Sequence, residues 1–306
     1  MKKGMGGNSG FALILTLVIT ALMVAIVVEM VHQVSVDVSL SRSFRDGQQA
    51  SILAESGVTG GKKLLQMSVV GKDYISLSDI WAKPLKLEDE IGSLVITITD
   101  ESGKVYINNI VTTGGTDQAQ NMASVKLLGK RFKTPDAAWD ALAGWINSNY
   151  KWGGATEALN YYRANGYNPR NGKLPTLNEL TLIKGFTPEL VSKMTPYITA
   201  YSPTGDICLV NINTAPPEVL AALDSRIDDR LAARIVSERL VGPFKATGEL
   251  SGRVPGMEAI GPSLIGRIAV KSSLFRITSV AKVKEAVRTV ETVVRLSGEP
   301  MSWIEY

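Results

Sequence analysis

MKKGMGGNSGFALILTLVITALMVAIVVEM, residues 1–30, decides how the rest of the chain is read. Residues 11–28 carry no charge, and only Thr16 and Thr20 interrupt their apolar character. A helix rises about 1.5 Å per residue, so this stretch, extended by Met30 and Val31, nearly spans a bilayer core. Lys2 and Lys3 precede it, which keeps the amino end cytoplasmic and sends the body of the chain across the membrane. A secretory signal would need an A-x-A-like site after the apolar run, and Glu29-Met30-Val31-His32-Gln33-Val34 offers none. Small residues cluster before the run instead, at Gly4, Gly6, Gly7, Asn8, Ser9 and Gly10. A cut between Gly10 and Phe11 removes a short polar leader and leaves the anchor, with Phe11, Leu13, Leu15, Leu17, Leu22 and Val28, on the mature protein. Glu29 reads as a snorkelling interfacial residue or as a functional contact within a helix bundle.

The remaining composition excludes several classes. At 45% hydrophobic and 20% charged, the 306 residues can bury a core in one large or two modest domains. The formal charge of +4 includes the two leader lysines, too mild a balance for nucleic acid or an acidic surface as main partner. Cys208 is the single cysteine and sits among Ile207, Leu209 and Val210, as a small buried hydrophobe would. His32, the single histidine, lies beside the apolar run. There is no Ser-His-Asp set, no HExxH and no phosphate loop, so no residue is assigned a catalytic role.

Past the anchor, apolar residues at helical spacing (Val27, Met30, Val31, Val34, Val38, then Ala50, Leu53, Ala54, Val58) predict that the helix continues to about Leu65. Gly57, Gly60 and Gly61 weaken its far end. Leu94, Ile96 and Ile98 alternate with Val95, Thr97 and Thr99, and Asp100-Glu101-Ser102-Gly103 has the form of a type I turn, with residues 105–110 expected as the returning strand. Near the end, Phe275, Ile277, Ala281 and Val283 share one strand face, and Val290, Val294 and Leu296 a second. Between these regions the signals are helical. Thr134-Pro135-Asp136 reads as a cap with proline in the first turn, and Thr176 to Glu179 as a capping box closed by Gly185. Asn213-Thr214 is expected to cap a helix through Leu223, and Asp228 to open another that ends before Gly242-Pro243.

The Gly10-Phe11 junction before an apolar helix resembles a type IV prepilin or type II secretion pseudopilin. That resemblance implies cleavage by a membrane prepilin peptidase and N-methylation of Phe11. The class usually carries Glu at the fifth mature position, and here that residue is Leu15. With the missing glutamate, a further set of blocks resembles the K minor pseudopilins of type II secretion. These are Asp100-Glu101-Ser102-Gly103-Lys104, Val210-Asn211-Ile212-Asn213-Thr214-Ala215-Pro216 with Glu218-Val219-Leu220, and Gly242-Pro243-Phe244. Tyr161-Tyr162, Asn171-Gly172 and Glu179-Leu180 also fall in the family's order.

The resemblance implies an α+β fold: a pilin-like long N-terminal helix packed on a small antiparallel sheet, with a large all-helical domain inserted between the β segments. The expected divisions are a leader over 1–10, an anchor helix and its extension over 11–70, a β region over 71–118 and 267–306, and an inserted domain over 119–266. It also implies a role. The subunit joins other minor pseudopilins at the tip of a periplasmic pseudopilus above the major pseudopilin filament, anchored once in the inner membrane, and starts its assembly for protein export.

The block Asn211, Asn213, Thr214, Ala215 and Pro216 is expected to shape the inserted domain. Family members often bind calcium at an acidic cluster after the first inserted helix. Here the matching residues are Gly144-Trp145-Ile146-Asn147-Ser148-Asn149 and Gly154-Ala155-Thr156-Glu157. Asn147, Asn149 and Glu157 are therefore weak calcium candidates, since calcium takes six to eight oxygens, several from carboxylates. No other cofactor is implied.

Two other readings stand beside this one. A type IV pilus minor pilin would share the first 38 residues but not the helical insertion. Asn213-Thr214-Ala215 followed by two helices also resembles the helix-hairpin-helix of membrane-tethered DNA receptors. Residues 211–270 hold seven basic and seven acidic side chains, a balance that argues against nucleic acid as a partner.

Overall fold

The structure is a computed structural model that describes residues 8–203 and 208–306. Residues 1–7 of the expected leader, including Lys2, Lys3, Gly4, Gly6 and Gly7, lie outside the described residues, as does Ile207.

One helix, α1 (Asn8–Val69), runs for 62 residues, or roughly 90 Å at the α-helical rise. Its outer half stands clear of the rest of the described chain: every residue from Gly10 to Arg45 is exposed, and burial begins at Asp46. Thr16 and Thr20 donate their hydroxyls to the carbonyls of Leu13 and Thr16, at 2.9 and 2.7 Å, so neither brings an unpaired donor into an apolar environment. From Ala50 onward one face of α1 lies on a five-stranded antiparallel sheet. Its strands are β1 (Leu85–Glu88) and β2 (Ser93–Asp100), followed much later by three more.

The strands that complete the sheet come from the end of the chain. They are numbered in chain order after the short strands β3 (Val105–Tyr106), β4 (Ile198–Thr199), β5 (Val210–Asn211) and β6 (Ile268–Ala269), and are β7 (Leu274–Val283), β8 (Ala286–Arg295) and β9 (Pro300–Glu305). The spatial order is β1-β2-β7-β8-β9. Alternation along β2 puts Leu94, Ile96 and Ile98 towards α1, where they meet Ala54, Val58 and Leu65 of the helix and Ile277, Ala281 and Val290 of the next strands. Trp81 closes this core edge-on against Phe275, with ring centroids 5.2 Å apart. Gly57 and Gly61, which weaken the helix in isolation, are where it approaches the sheet most closely. A Cβ at Gly57 would lie 2.2 Å from Ser279 Oγ, and one at Gly61 2.9 Å from Ile277 Cγ2.

The inserted domain is the connection between neighbouring strands, since Asp100 of β2 pairs with Phe275 of β7. Its two ends therefore meet, and a large domain enters without disturbing the sheet. Its helices are α2 (Ala119–Arg131), α3 (Asp136–Ile146), α4 (Ala155–Ala164), α5 (Pro188–Met194), α6 (Pro217–Ala222), α7 (Asp229–Val241) and α8 (Glu249–Arg253). They share one core with Val105, Ile107, Ile110, Val111 and Ile268.

Several expectations change in detail. Residues 105–110 do not return as a strand beside β2. A 3-10 turn over Glu101–Gly103, with Ser102 N–H held by the Asp100 carboxylate at 2.8 Å, directs the chain into the insertion, where β3 pairs in parallel with β4. The inserted core thus runs from Val105 to Ile268 rather than over 119–266, and it is not wholly helical, because β3–β4 and β5–β6 are parallel pairs within it.

The expected caps are also reassigned. Thr134 turns its hydroxyl to Met194 Sδ, and α3 starts after Pro135 with no side-chain cap. Thr176 caps nothing, and Glu179 instead accepts from Trp145 Nε1 at 2.8 Å; the segment Leu177–Leu182 is a 3-10 helix. Asp228 does cap α7, accepting from Leu231 N at 2.8 Å. Strands β1 and β9 escaped the reading because β1 is exposed on both faces and β9 opens on proline, so neither shows a clean alternation.

Candidate assembly site

The outer half of α1 is an extended exposed apolar surface. Phe11 is 70% exposed, and Leu13, Leu15, Leu17, Leu22 and Val28 are likewise uncovered. This length and composition suit a single-pass membrane anchor. Gly10 and Phe11 lie in the first turns of α1. Beyond the apolar run the helix stays uncovered through Met30, Val31, Val34, Val38, Leu40 and Phe44.

The helix is fixed where it first touches the body. Asp46 receives Lys284 Nζ on both oxygens, at 3.0 and 2.9 Å. Lys284 sits in the β7–β8 turn with φ 53°, a left-handed backbone that projects its side chain back to the helix. Its ammonium holds the Asp46 carboxyl below the usual carboxylate range.

At the opposite end of the sheet, the Asn-Thr-Ala-Pro block meets the end of β2. Thr214 Oγ1 and Ser272 Oγ donate to Asp100 Oδ2 at 2.6 and 2.5 Å. Asn211 Nδ2 reaches Ser272 Oγ at 2.6 Å and the Ile75 carbonyl at 3.0 Å, so it ties the insertion to the segment that follows α1. Gly103 lets the two blocks touch, because a Cβ there would lie 2.9 Å from Thr214 Oγ1 and 3.2 Å from the Ala215 nitrogen. Burial pushes the Asp100 carboxyl up to about 6 against the hydrogen bonds from Ser272 and Thr214.

The expected helix cap is thus replaced by something else. No side chain caps α6. Asn213 pairs with the Phe244 backbone in both directions, at 2.9 and 2.8 Å, and so joins this block to the Gly-Pro-Phe block. Ala215 is fully buried, and its carbonyl accepts from Arg239 Nη1 at 2.7 Å; Pro216 sets the entry to α6. Arg239 also reaches the Ile212 carbonyl at 2.9 Å. Arg239 is thus spent inside the protein, where it offers no charge to a nucleic-acid backbone.

Beside Asp100, Glu101 is fully buried. It accepts from Lys104 Nζ at 2.7 Å, Arg276 Nε at 2.8 Å and Thr199 Oγ1 at 2.6 Å. Burial alone would raise its carboxyl, but Lys104 and Arg276 outweigh that and hold it below its ordinary value. Arg276 extends the chain of charges to Glu291 on β8. A buried charge left without these partners would cost several kcal/mol, about 3–5, so the network fixes the insertion's orientation on the sheet.

The calcium candidates do not form a ligand set. Asn147 Nδ2 donates to the carbonyls of Thr112 and Thr113, its Oδ1 accepts from Asn149 N, and Glu157 pairs with Lys184 Nζ at 3.0 Å. Among the described residues, no three His, Cys, Asp or Glu side chains gather as metal ligands would. Cys208 is partly buried, and burial pushes its thiol up to about 12, which leaves it protonated and inert.

Two family models, both described as type II secretion system protein K, match residues 103–203 and 210–270, together more than half of the chain. The chain belongs to the type II secretion system protein K family. The matched segments coincide with the inserted domain. The type II secretion system protein K of Aeromonas hydrophila is 27% identical over 164 residues, which take in 50% of this chain and 48% of that protein. The chain therefore aligns with about half the length of this curated relative. A chain in the crystal structure of the GspK–GspI–GspJ complex of enterotoxigenic Escherichia coli has the same fold, with a TM-score of 0.69 at 19% identity. That match covers 87% of this chain and 98% of the other.

Ser272 and Arg276 do not stand out in the sequence, and the roles of Asp100, Glu101 and Arg239 in a buried network are not visible there either. Asp100 and Glu101 looked like turn residues, and only their proximity to a second recognisable block hinted at more. Ser272 and Arg276 carry no local signal, because their importance comes from partners more than 170 positions away.

Proposed function

We propose that this protein is a non-catalytic minor pseudopilin that caps the tip of the type II secretion pseudopilus and initiates its assembly with other minor pseudopilins. The observation that carries this reading is the position of the inserted domain. The uncovered half of α1 leaves the body beside the β7–β8 turn, at Asp46 and Lys284. The insertion joins the opposite end of the sheet, at Asp100 and Phe275, beside the C-terminal end of α1. With α1 in the inner membrane and the body in the periplasm, the bulky domain lies on the membrane-distal end, where a further subunit would have to stack.

The exposed stretch of α1 past the apolar run supplies the face for neighbouring pseudopilin helices, with Val31, Val34 and Val38 at helical spacing. Leu15 in place of a glutamate fits a first subunit that has no earlier terminal amine to receive. The similar chain of known structure belongs to a complex of three Gsp proteins, which supports minor pseudopilins as partners here too. Prepilin peptidase would cut between Gly10 and Phe11, and the major pseudopilin filament would grow beneath the tip.

The test is genetic. Deleting the gene should trap secreted proteins in the periplasm, and the full chain should restore export. A variant in which residues 101–273 are replaced by a short turn should insert in the membrane but fail to restore export. Normal export from the deletion strain would refute the proposal.

A further inference from the structure

The loop between α3 and α4, residues 147–154, packs on the loop around Val111 and Asp117, which are joined by an isolated bridge. The contact is close. A Cβ at Gly115, whose φ is +82°, would lie 2.6 Å from the Asn149 carbonyl carbon. Two successive carbonyls of that loop, Thr112 and Thr113, converge on the Asn147 carboxamide at 2.9 and 3.0 Å. Converging carbonyls are what a hard cation would otherwise gather, and here both hydrogens of one amide satisfy them. The same amide's oxygen is spent on Asn149 N–H at 2.9 Å.

Trp152 lies between Gly144 of α3 and Gly154 at the start of α4. Its Nε1 lies 3.0 Å from where a Cβ of Gly144 would stand, and its six-membered ring 2.3 Å from where a Cβ of Gly154 would stand. A side chain at position 144 would crowd the indole, which would have to give by a few tenths of an ångström. Glu157, the one carboxylate among the candidates, pairs instead with Lys184.

We propose that the α3–α4 loop of this protein is ordered without a divalent cation, with the Asn147 amide closing the two loops and the Trp152 indole filling the space between Gly144 and Gly154. The inference does not depend on the tip role: a subunit anywhere in the filament would need the same loop held.

The test is thermal unfolding of the full chain in detergent, in chelator and in excess calcium. The midpoint should be the same in both. Asn147→Ala should lower it by roughly 1–6 °C in both, the loss expected when one part-buried and one exposed carbonyl lose their shared donor. Trp152→Ala should lower it in both as well. A parent midpoint that falls in chelator and recovers with calcium would overturn the proposal, and so would two neutral substitutions. Should either variant fail to fold, limited proteolysis of the parent decides: equal protection of residues 147–154 with and without chelator supports the proposal, and chelator-induced cleavage there overturns it.

Discussion

Thr214 donates its hydroxyl to Asp100 Oδ2 at 2.6 Å across 114 positions of sequence. This bond joins the most recognisable block of the inserted domain to the last residue of the strand from which the domain departs. Around it, Ser272 and Asn211 complete a buried polar junction in which Asp100 is the carboxylate acceptor. The junction orients the insertion relative to α1, and on the proposed role it sets what the tip presents.

Asp100 makes stability depend on pH in a particular direction. Its folded carboxyl titrates at about 6, above the ordinary 3.8, so the stability it contributes is complete below pH 4 and is lost as the pH rises through 6. Asp100→Asn keeps the shape and an acceptor oxygen while removing the titration. From pH 4 to pH 7 the parent should lose at most about 3 kcal/mol relative to this variant. Glu101 titrates in the opposite sense in both proteins, and its charge helps raise the Asp100 carboxyl, so the difference reports Asp100 together with that coupling. Urea unfolding of the two proteins at a series of pH values checks this; parallel profiles would contradict it.

The glycines of α1 should separate by sign. Gly60 is exposed, and a Cβ there meets only Ile96 Cδ1 at 3.9 Å, so Gly60→Ala should stabilise by about 0.5–1 kcal/mol through helix propensity. Gly57 is buried, with Leu94 Cδ1 2.8 Å from the added carbon. There overpacking by about 1–3 kcal/mol should exceed the helical gain, so Gly57→Ala destabilises. Unfolding midpoints of the two single variants provide the comparison.

Processing at the amino end is tested by intact mass of the chain from membranes with and without prepilin peptidase. The expected product begins at N-methylated Phe11 and requires the peptidase. A chain that starts at Met1 in both preparations, or one cut after the apolar run, would contradict the assignment.

Much of this architecture was legible because it rests on short-range pattern. The apolar run over residues 11–28, the alternation of Leu94, Ile96 and Ile98, and the Asp228 cap each announce themselves within a few positions. What was misread depends on distant partners. Asn213 and Thr214 have the chemistry of a helix cap, yet their hydrogen bonds go to Phe244 and Asp100. Asp100 to Gly103 has the composition of a hairpin turn, but the buried Glu101 with Lys104 and Arg276 makes it a domain entry. Local propensity offered two outcomes at both places, and long-range polar pairing chose between them.

A subunit in the proposed tip position is present once and has no successor above it. Native mass spectrometry in detergent, after co-expression of the full-length chain with minor pseudopilins, tests that position. An assembly with a single copy of this chain bound to those subunits is expected. A polymer of this chain, or several copies spaced along a filament, would contradict it.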